Sequence, residues 1–270
     1  MMPDSMSEPE LRNRSGLQIQ AAAIRALFLR ELQTRFGRYR LGYIWAVLEP
    51  GLHVATMVLL FGAVLHRSIP GMEYPLFLVN GILPWFMIAR SATKALGAVA
   101  ANKGLFNYRP VLPIDSVIAR TALEGVLYFN IYMISMVLLW WTGYDISFSN
   151  IPLIVLTWGL LWLFALGFSM IMMVLGDLSQ EVSKFVPVGI RILYFTSGIL
   201  YSLHAIPQKY LPYILWNPVP HALETMRHAV DPEYPMTHVS YSYFVMSVLV
   251  MLVFGLLVYK ARERQMVTSA

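Results

Sequence analysis

Polar and apolar positions alternate with a helical period near the start of the chain and then merge into long apolar runs. From Ile24 to Tyr39 the large apolar residues Ile24, Leu27, Phe28, Leu32, Phe36 and Tyr39 recur on one broad side of a helix, with Arg30, Gln33, Thr34 and Arg40 opposite. Such a helix lies flat in the headgroup layer of a membrane. Arg25, Glu31 and Arg35 intrude on its apolar side; Glu31 and Arg35 stand four apart, in the favourable order for an ion pair, and charges placed there suit either each other or a protein partner. A polybasic anchor on anionic lipid is the plainer reading of this stretch, although lipid alone does not account for Glu31 and Arg35.

Six apolar stretches follow: Ile44 to Leu65, Pro75 to Leu96, Val117 to Trp141, Ile151 to Leu175, Val186 to Leu203 and Tyr241 to Tyr259. Each approaches the roughly 20 helical residues that cross a hydrocarbon core. The pattern predicts an all-α integral membrane protein with six transmembrane helices behind an amphipathic interface helix. Residues 1–20 are polar, carry Pro3 and Pro9 and have no apolar core of a signal peptide, so they are expected to be a disordered cytoplasmic start, with residues 21–270 forming the transmembrane domain.

Composition supports this reading, since 57% of residues are hydrophobic and only 13% charged, against about 25% charged in soluble domains. The net charge of +5 reads as topology rather than nucleic-acid binding, because the basic residues flank apolar runs and no nucleic-acid motif is present. Arg25, Arg30, Arg35, Arg38 and Arg40, then Lys94, Lys103 and Arg109, then Lys184, then Lys260, Arg262 and Arg264 mark the cytoplasmic segments. The other loops hold Arg67, Lys209 and Arg227, which places both termini in the cytoplasm.

Two cytoplasmic loops stand out. Ala98 to Ile118 predicts a short helix over Asn102 to Tyr108, stopped by Pro110 and Pro113 and exposing Leu105, Phe106 and Tyr108 beside Lys103 and Arg109. These apolar residues suit a docking surface or packing on the bilayer. Gly176 to Val188 reads as a polar connector in which Asp177 or Ser179 caps a turn of helix. Outside, His204 to Ser240 is proline-rich and amphipathic, and is expected to form short re-entrant helices between spans five and six.

Ionisable groups inside spans are costly unless paired or wetted. Glu49, Arg90, Arg120, Glu124 and Arg191 are the candidates; the three arginines lie near span ends and can snorkel, while Glu49 and Glu124 call for pairing or a wet lumen. The seven tryptophans suit an interfacial belt or, alternatively, a passage in which sugar faces stack on rings. Chemistry is sparse. There is no cysteine, no P-loop and no HExxH; His221, Glu224 and His228 share a helical face but suit an outer amphipathic helix better than a metal site, and Ser197 with His204 lacks a nucleophile elbow.

The run LFLRELQTRFGRYRLGYIWAVLEP from Leu27 to Pro50, with GILPWF at Gly81 to Phe86, the loop from Asn102 to Pro113 and NPVPHALETMRHAV at Asn217 to Val230, resembles the membrane subunits of ABC-2 type exporters, and among them the capsular polysaccharide permeases. The resemblance implies a bacterial inner-membrane homodimer working with two cytoplasmic ABC ATPase subunits, which hold ATP and magnesium; this chain itself is expected to carry no cofactor, no metal and no catalytic residue. It implies an inner mouth for a lipid-linked acidic polysaccharide at Arg30, Arg38, Arg40, Tyr43, Trp45 and Glu49. ATPase coupling is implied at Glu31, Arg35, Asn102, Lys103, Leu105, Phe106, Tyr108, Arg109 and Asp177, and an outer gate at Trp216, Asn217, Pro218, Glu224 and Arg227. Membrane lipid and a periplasmic adaptor complete the expected partners. Export of O-antigen, teichoic acid or small lipophilic compounds, secondary transport, and a membrane-embedded enzyme remain the competing readings.

Overall fold

A computed structural model describes residues 15–36, 42–64, 69–106, 111–147 and 150–268. They are helical throughout, apart from turns and one isolated bridge between Ile69 and Met72. The order is α1 (Gly16–Phe36), α2 (Gly42–Met57) running on into a π-helical segment (Val58–Val64), α3 (Tyr74–Leu96), a 3₁₀ helix (Ala100–Leu105), α4 (Pro113–Trp141), α5 (Ile151–Leu178), α6 (Gln180–Thr196), a 3₁₀ turn (Leu203–Ala205), α7 (Leu211–Leu215), α8 (Pro218–Val230) and α9 (Tyr241–Thr268).

Four of these helices, α3, α4, α5 and α9, are long and apolar enough to cross a membrane. α3 and α5 form the centre. α3 is buried along most of its length, from Tyr74 to Ala95, and α5 packs against both α3 and α9. The α5–α9 crossing is close because two glycines meet there: a Cβ on Gly255 would strike the carbonyl oxygen of Gly167. Small residues at a helix crossing let backbones approach, which is how helices associate where lipid and side chain are equally apolar. The outward faces of α4, α6 and α9 expose Val137, Leu138, Phe185, Ile192, Val253 and Phe254, an apolar belt suited to lipid or to another helix.

Several boundaries differ from those read off the sequence. α1 begins at Gly16, inside the stretch expected to be irregular, because Ser15 and Gln18 form a reciprocal cap: the Gln18 N–H donates to Ser15 Oγ at 3.4 Å and the Ser15 N–H to Gln18 Oε1 at 3.1 Å. The connector expected from Gly176 to Val188 is almost entirely helix. α5 runs to Leu178, Ser179 alone makes the corner, and its Oγ accepts from the Glu181 N–H at 3.1 Å to cap α6. Pro187 lies inside α6 without ending it. Of the short helix expected over Asn102 to Tyr108, residues 107 and 108 lie outside the described residues and the described part belongs to the 3₁₀ helix Ala100–Leu105; α9 continues past Tyr259 to Thr268.

Candidate functional site

α1 rests on α4 through polar contacts as well as apolar ones. Leu27 and Phe36 are buried and Ile24, Phe28 and Leu32 half-buried, as the periodicity requires. Glu31 and Arg35 do not pair with each other. Glu31 meets Arg120 at 3.1 Å and Arg35 meets Glu124 at 2.5 Å, so two residues spaced by one helical turn on α1 match two spaced by one turn on α4. Gln20 extends the same seam, donating to Asp115 Oδ1 at 3.1 Å. Lys94 on α3 joins Glu124 at 2.5 Å, and Arg120 Nη1 donates to the Lys94 carbonyl at 2.9 Å. Glu124 is 0% exposed, and its contacts with Arg35 and Lys94 offset the cost of burying a carboxyl group.

The seam reaches the loop between α3 and α4. Arg30 donates to Asn102 Oδ1, and Asn102 Nδ2 donates to the Ala98 carbonyl at 2.7 Å. Asn102 is 1% exposed and Phe106 5% exposed, which corrects the expectation that Phe106 is presented on the surface. With three residues per turn, Val99 and Asn102 share an inward face with half-buried Leu105, leaving Ala101, Lys103 and Gly104 outward, while Phe106, the residue that follows the last turn, packs into the hydrophobic core. Asp177 lies 4.0 Å from Arg262 on α9. Arg38, Arg40, Tyr108 and Arg109 fall outside the described residues, as does the side chain of Tyr43.

A second polar assembly sits at the opposite end. Asn217 caps α8, its Oδ1 accepting from the Val219 N–H at 3.0 Å while its Nδ2 donates to Ser197 Oγ at 2.8 Å, and Pro218 fills the first turn. Arg227, 0% exposed, donates to Glu224 Oε1 at 2.8 Å and to the Ile199 carbonyl at 3.1 Å, and its guanidinium stacks 3.4 Å over the Phe77 ring. Gly81 on α3 makes room, since a Cβ there would come within 2.8 Å of Arg227. Tyr234 completes the set by donating to Glu224 Oε2 at 2.7 Å, and its phenol pKa is pushed up chiefly by burial. Trp216, by contrast, is 86% exposed. His221, Glu224 and His228 do not converge: His221 bonds the Leu215 carbonyl and the Ser240 N–H, and His228 Nδ1 donates to the Tyr234 carbonyl.

Between these ends α2, α3 and α6 wall a groove of about 500 Å³. Its lining includes His53, Phe86, Arg90, Arg191, Tyr194 and Phe195. His53 packs 4.9 Å from Phe86, Phe86 stacks 6.4 Å from Tyr194, and His53 Nε2 reaches Tyr194 Oη at 3.3 Å. Arg90 pairs with Glu49 of α2 at the edge of this groove, both half-exposed, whereas Trp45 is exposed. The sequence marked Arg90 and Arg191 as arginines near span ends that can snorkel and did not single out His53, Phe86 or Tyr194; only the packing of three helices brings them together. Among the described residues there is no cluster of three or more histidine or acidic side chains fit for a metal.

Comparison with known proteins places these features in a family. Residues 22–230 match the model of the ABC-2 type transporter. The polysialic acid transport protein KpsM of Escherichia coli is 44% identical over 256 residues, 95% of this chain and 99% of that one. The capsule polysaccharide export inner-membrane protein CtrC of Neisseria meningitidis is 28% identical over 90% of this chain and 92% of its own. The O-antigen export system permease protein RfbA of Klebsiella pneumoniae is 30% identical over 70% of this chain and 73% of its own. The chain therefore belongs to the ABC-2 type transporter family.

Proposed function

We propose that the chain is the membrane-spanning permease of an ATP-driven exporter that moves a lipid-linked acidic capsular polysaccharide out of the cytoplasm. The observation that carries this reading is the likeness, along nearly the whole chain, to proteins named for polysialic acid transport and capsule export. The 30% identity to an O-antigen permease makes export of O-antigen the second reading.

In this reading the chain crosses the inner membrane six times, with α2 and its π-helical extension as the first crossing, α6 as the fifth, and both termini in the cytoplasm. α7 and α8 are the re-entrant helices. One subunit offers an open groove rather than a lumen, so two copies enclose the path, with the exposed apolar faces of α2 and α6 turned toward the join. The chain performs no catalysis. Two separate ATPase subunits bind ATP and magnesium, and their closure presses on the outward residues of the loop, Lys103 and Gly104. Because Asn102 in the same 3₁₀ helix is bonded to Arg30, that push passes to α1 and, through Glu31 and Arg35, to α4. ATP drives the change because it binds one state of the assembly better than the other. The Arg227–Glu224 pair holds α8 as a rigid outer closure, against which a periplasmic adaptor rests.

Deleting the gene should leave acidic polysaccharide inside the cell and none at the surface. Restoration should need this chain together with a Walker-motif ATPase. Normal surface polysaccharide in the deletion strain would overturn the reading.

A further inference from the structure

The three helices of the groove share a detail that none shows alone. On α2 Glu49 stands four residues from His53, on α3 Arg90 stands four residues from Phe86, and on α6 Arg191 stands three residues from Tyr194. These are spacings of one helical turn, so each helix stacks a charged group and a ring on one face. The order is also shared. α3 ends near Leu96, and the corner between α5 and α6 lies beside it, since a Cβ on Gly176 would strike the Leu96 backbone. Arg90 is therefore nearer that end than Phe86, and Arg191 nearer than Tyr194. α2 runs opposite to α3, with the described ends Val64 and Tyr74 meeting through Gly62 and Tyr74, which puts Glu49 nearer the same end than His53. The groove thus has a charged tier toward the cytoplasm and an aromatic tier beyond it.

The charged tier is unbalanced, holding two arginines against one glutamate. Glu49 neutralises Arg90, and no described carboxylate lies within ion-pair distance of Arg191. Arg191 lies eleven residues into α6, or about 16 Å along the helix axis. It is exposed and five residues beyond Val186, where the apolar stretch begins, so its guanidinium is met by water, by snorkelling or by an anion. A neighbouring wall of rings suits the C–H face of a sugar and leaves a charged group at the tier below.

We infer that this groove is a two-tier site for a carboxylate-bearing pyranose unit, with the His53, Phe86 and Tyr194 rings against the sugar face and Arg191 on the carboxylate. Arg90 joins Arg191 when the incoming carboxylate displaces Glu49, which serves as an internal stand-in for the anion. No bond is made or broken; the site selects charge. The inference rests on the export function proposed above and names the groove's selectivity.

The test uses the complex of this chain with its ATPase in nanodiscs of zwitterionic lipid, and two probes: a short oligosaccharide of alternating uronic acid and N-acetylhexosamine, and the same oligosaccharide with its carboxyls reduced to alcohols. The acidic probe is expected to bind at least about ten-fold tighter, the range of one charge-assisted hydrogen bond. R191Q should bring the two probes to near equality without weakening the reduced one, R191K should keep most of the preference, and E49Q should strengthen acidic binding alone. Equal binding of both probes to the unaltered chain, or an R191Q variant that weakens both alike, overturns the inference. So does a preference that R191Q leaves intact but that phosphatidylglycerol abolishes, since the groove would then hold a lipid headgroup elsewhere than at Arg191. Neutral-only binding overturns the selectivity while sparing the export reading; no binding by either probe overturns the inference, and counts against export only if the deletion strain also keeps its surface polysaccharide.

Discussion

Arg30 of α1 donates a hydrogen bond to Asn102 of the 3₁₀ helix between α3 and α4, joining α1 to the loop that the proposed function assigns to the ATPase. Asn102 is buried, with its side chain turned to α1. Asn102→Ala should therefore leave the ATPase bound, as judged by co-purification, while export falls several-fold. A hydrogen bond to a charged group contributes about 1.5–3 kcal/mol, and Asn102→Asp, which keeps an acceptor for Arg30, should restore most of the export. Loss of ATPase binding in Asn102→Ala would show that this side chain docks directly.

Glu124 holds Arg35 and Lys94 together, and all of its neighbours lose by its removal. Glu124→Ala should destabilise the chain by about 3–5 kcal/mol, the usual cost of breaking a buried ion pair. The melting temperature of the detergent-purified protein reads this out. In a double-mutant cycle Arg35→Ala should add less in the Glu124→Ala background than alone, because the two share one interaction. Full additivity would mean that the pair does not couple α1 to α4.

The side of α1 that carries Leu27 and Phe36 was legible from their spacing, and the four long apolar helices from the length of their apolar runs. The intrusion of Glu31 and Arg35 into an apolar stripe was also visible, but their partners, Arg120 and Glu124, lie 89 residues away for Arg35 and Glu124, and pairing over that separation depends on how helices pack. α6 was harder. Gln180 to Lys184 is largely polar, so the expected span began only at Val186, yet Ser179 supplies the cap that starts the helix ahead of it. The Ser15 and Gln18 cap was a local signal that could have been read, whereas the groove of His53, Phe86 and Tyr194 draws on residues far apart in the chain.

The α5–α9 crossing depends on having no side chain at two positions. Gly255→Val should place a branched Cβ against the Gly167 carbonyl and force the helices apart, costing at least about 1–3 kcal/mol for an overpacked contact. Less folded monodisperse protein should be recovered in size-exclusion chromatography. Gly159→Ala, at a position with nothing nearby, should have little effect on the same profile.

His221, on α8 and outside the four long spans, uses both ring nitrogens in its neutral form. Nε2 donates to the Leu215 carbonyl at 2.9 Å and Nδ1 accepts from the Ser240 N–H at 3.0 Å. Burial holds its pKa below the ordinary imidazole value of 6.5, against the opposing pull of the Leu215 carbonyl and Glu224. The folded state thus binds fewer protons than the unfolded one, so the contribution is intact above 6.5 and lost as pH falls from there through the lower folded value. Thermal stability should drop between pH 7 and 5, and His221→Gln, which keeps a donor and an acceptor, should flatten that part of the profile. An unchanged slope would place the pH sensitivity elsewhere.

The most direct measurement is transport by sealed proteoliposomes holding this chain with and without its ATPase, supplied with lipid-linked acidic polysaccharide and ATP. Polymer should cross only when both proteins and hydrolysable ATP are present, and an imposed pH gradient should not replace them. Export by this chain alone, with or without a proton gradient, would contradict the account.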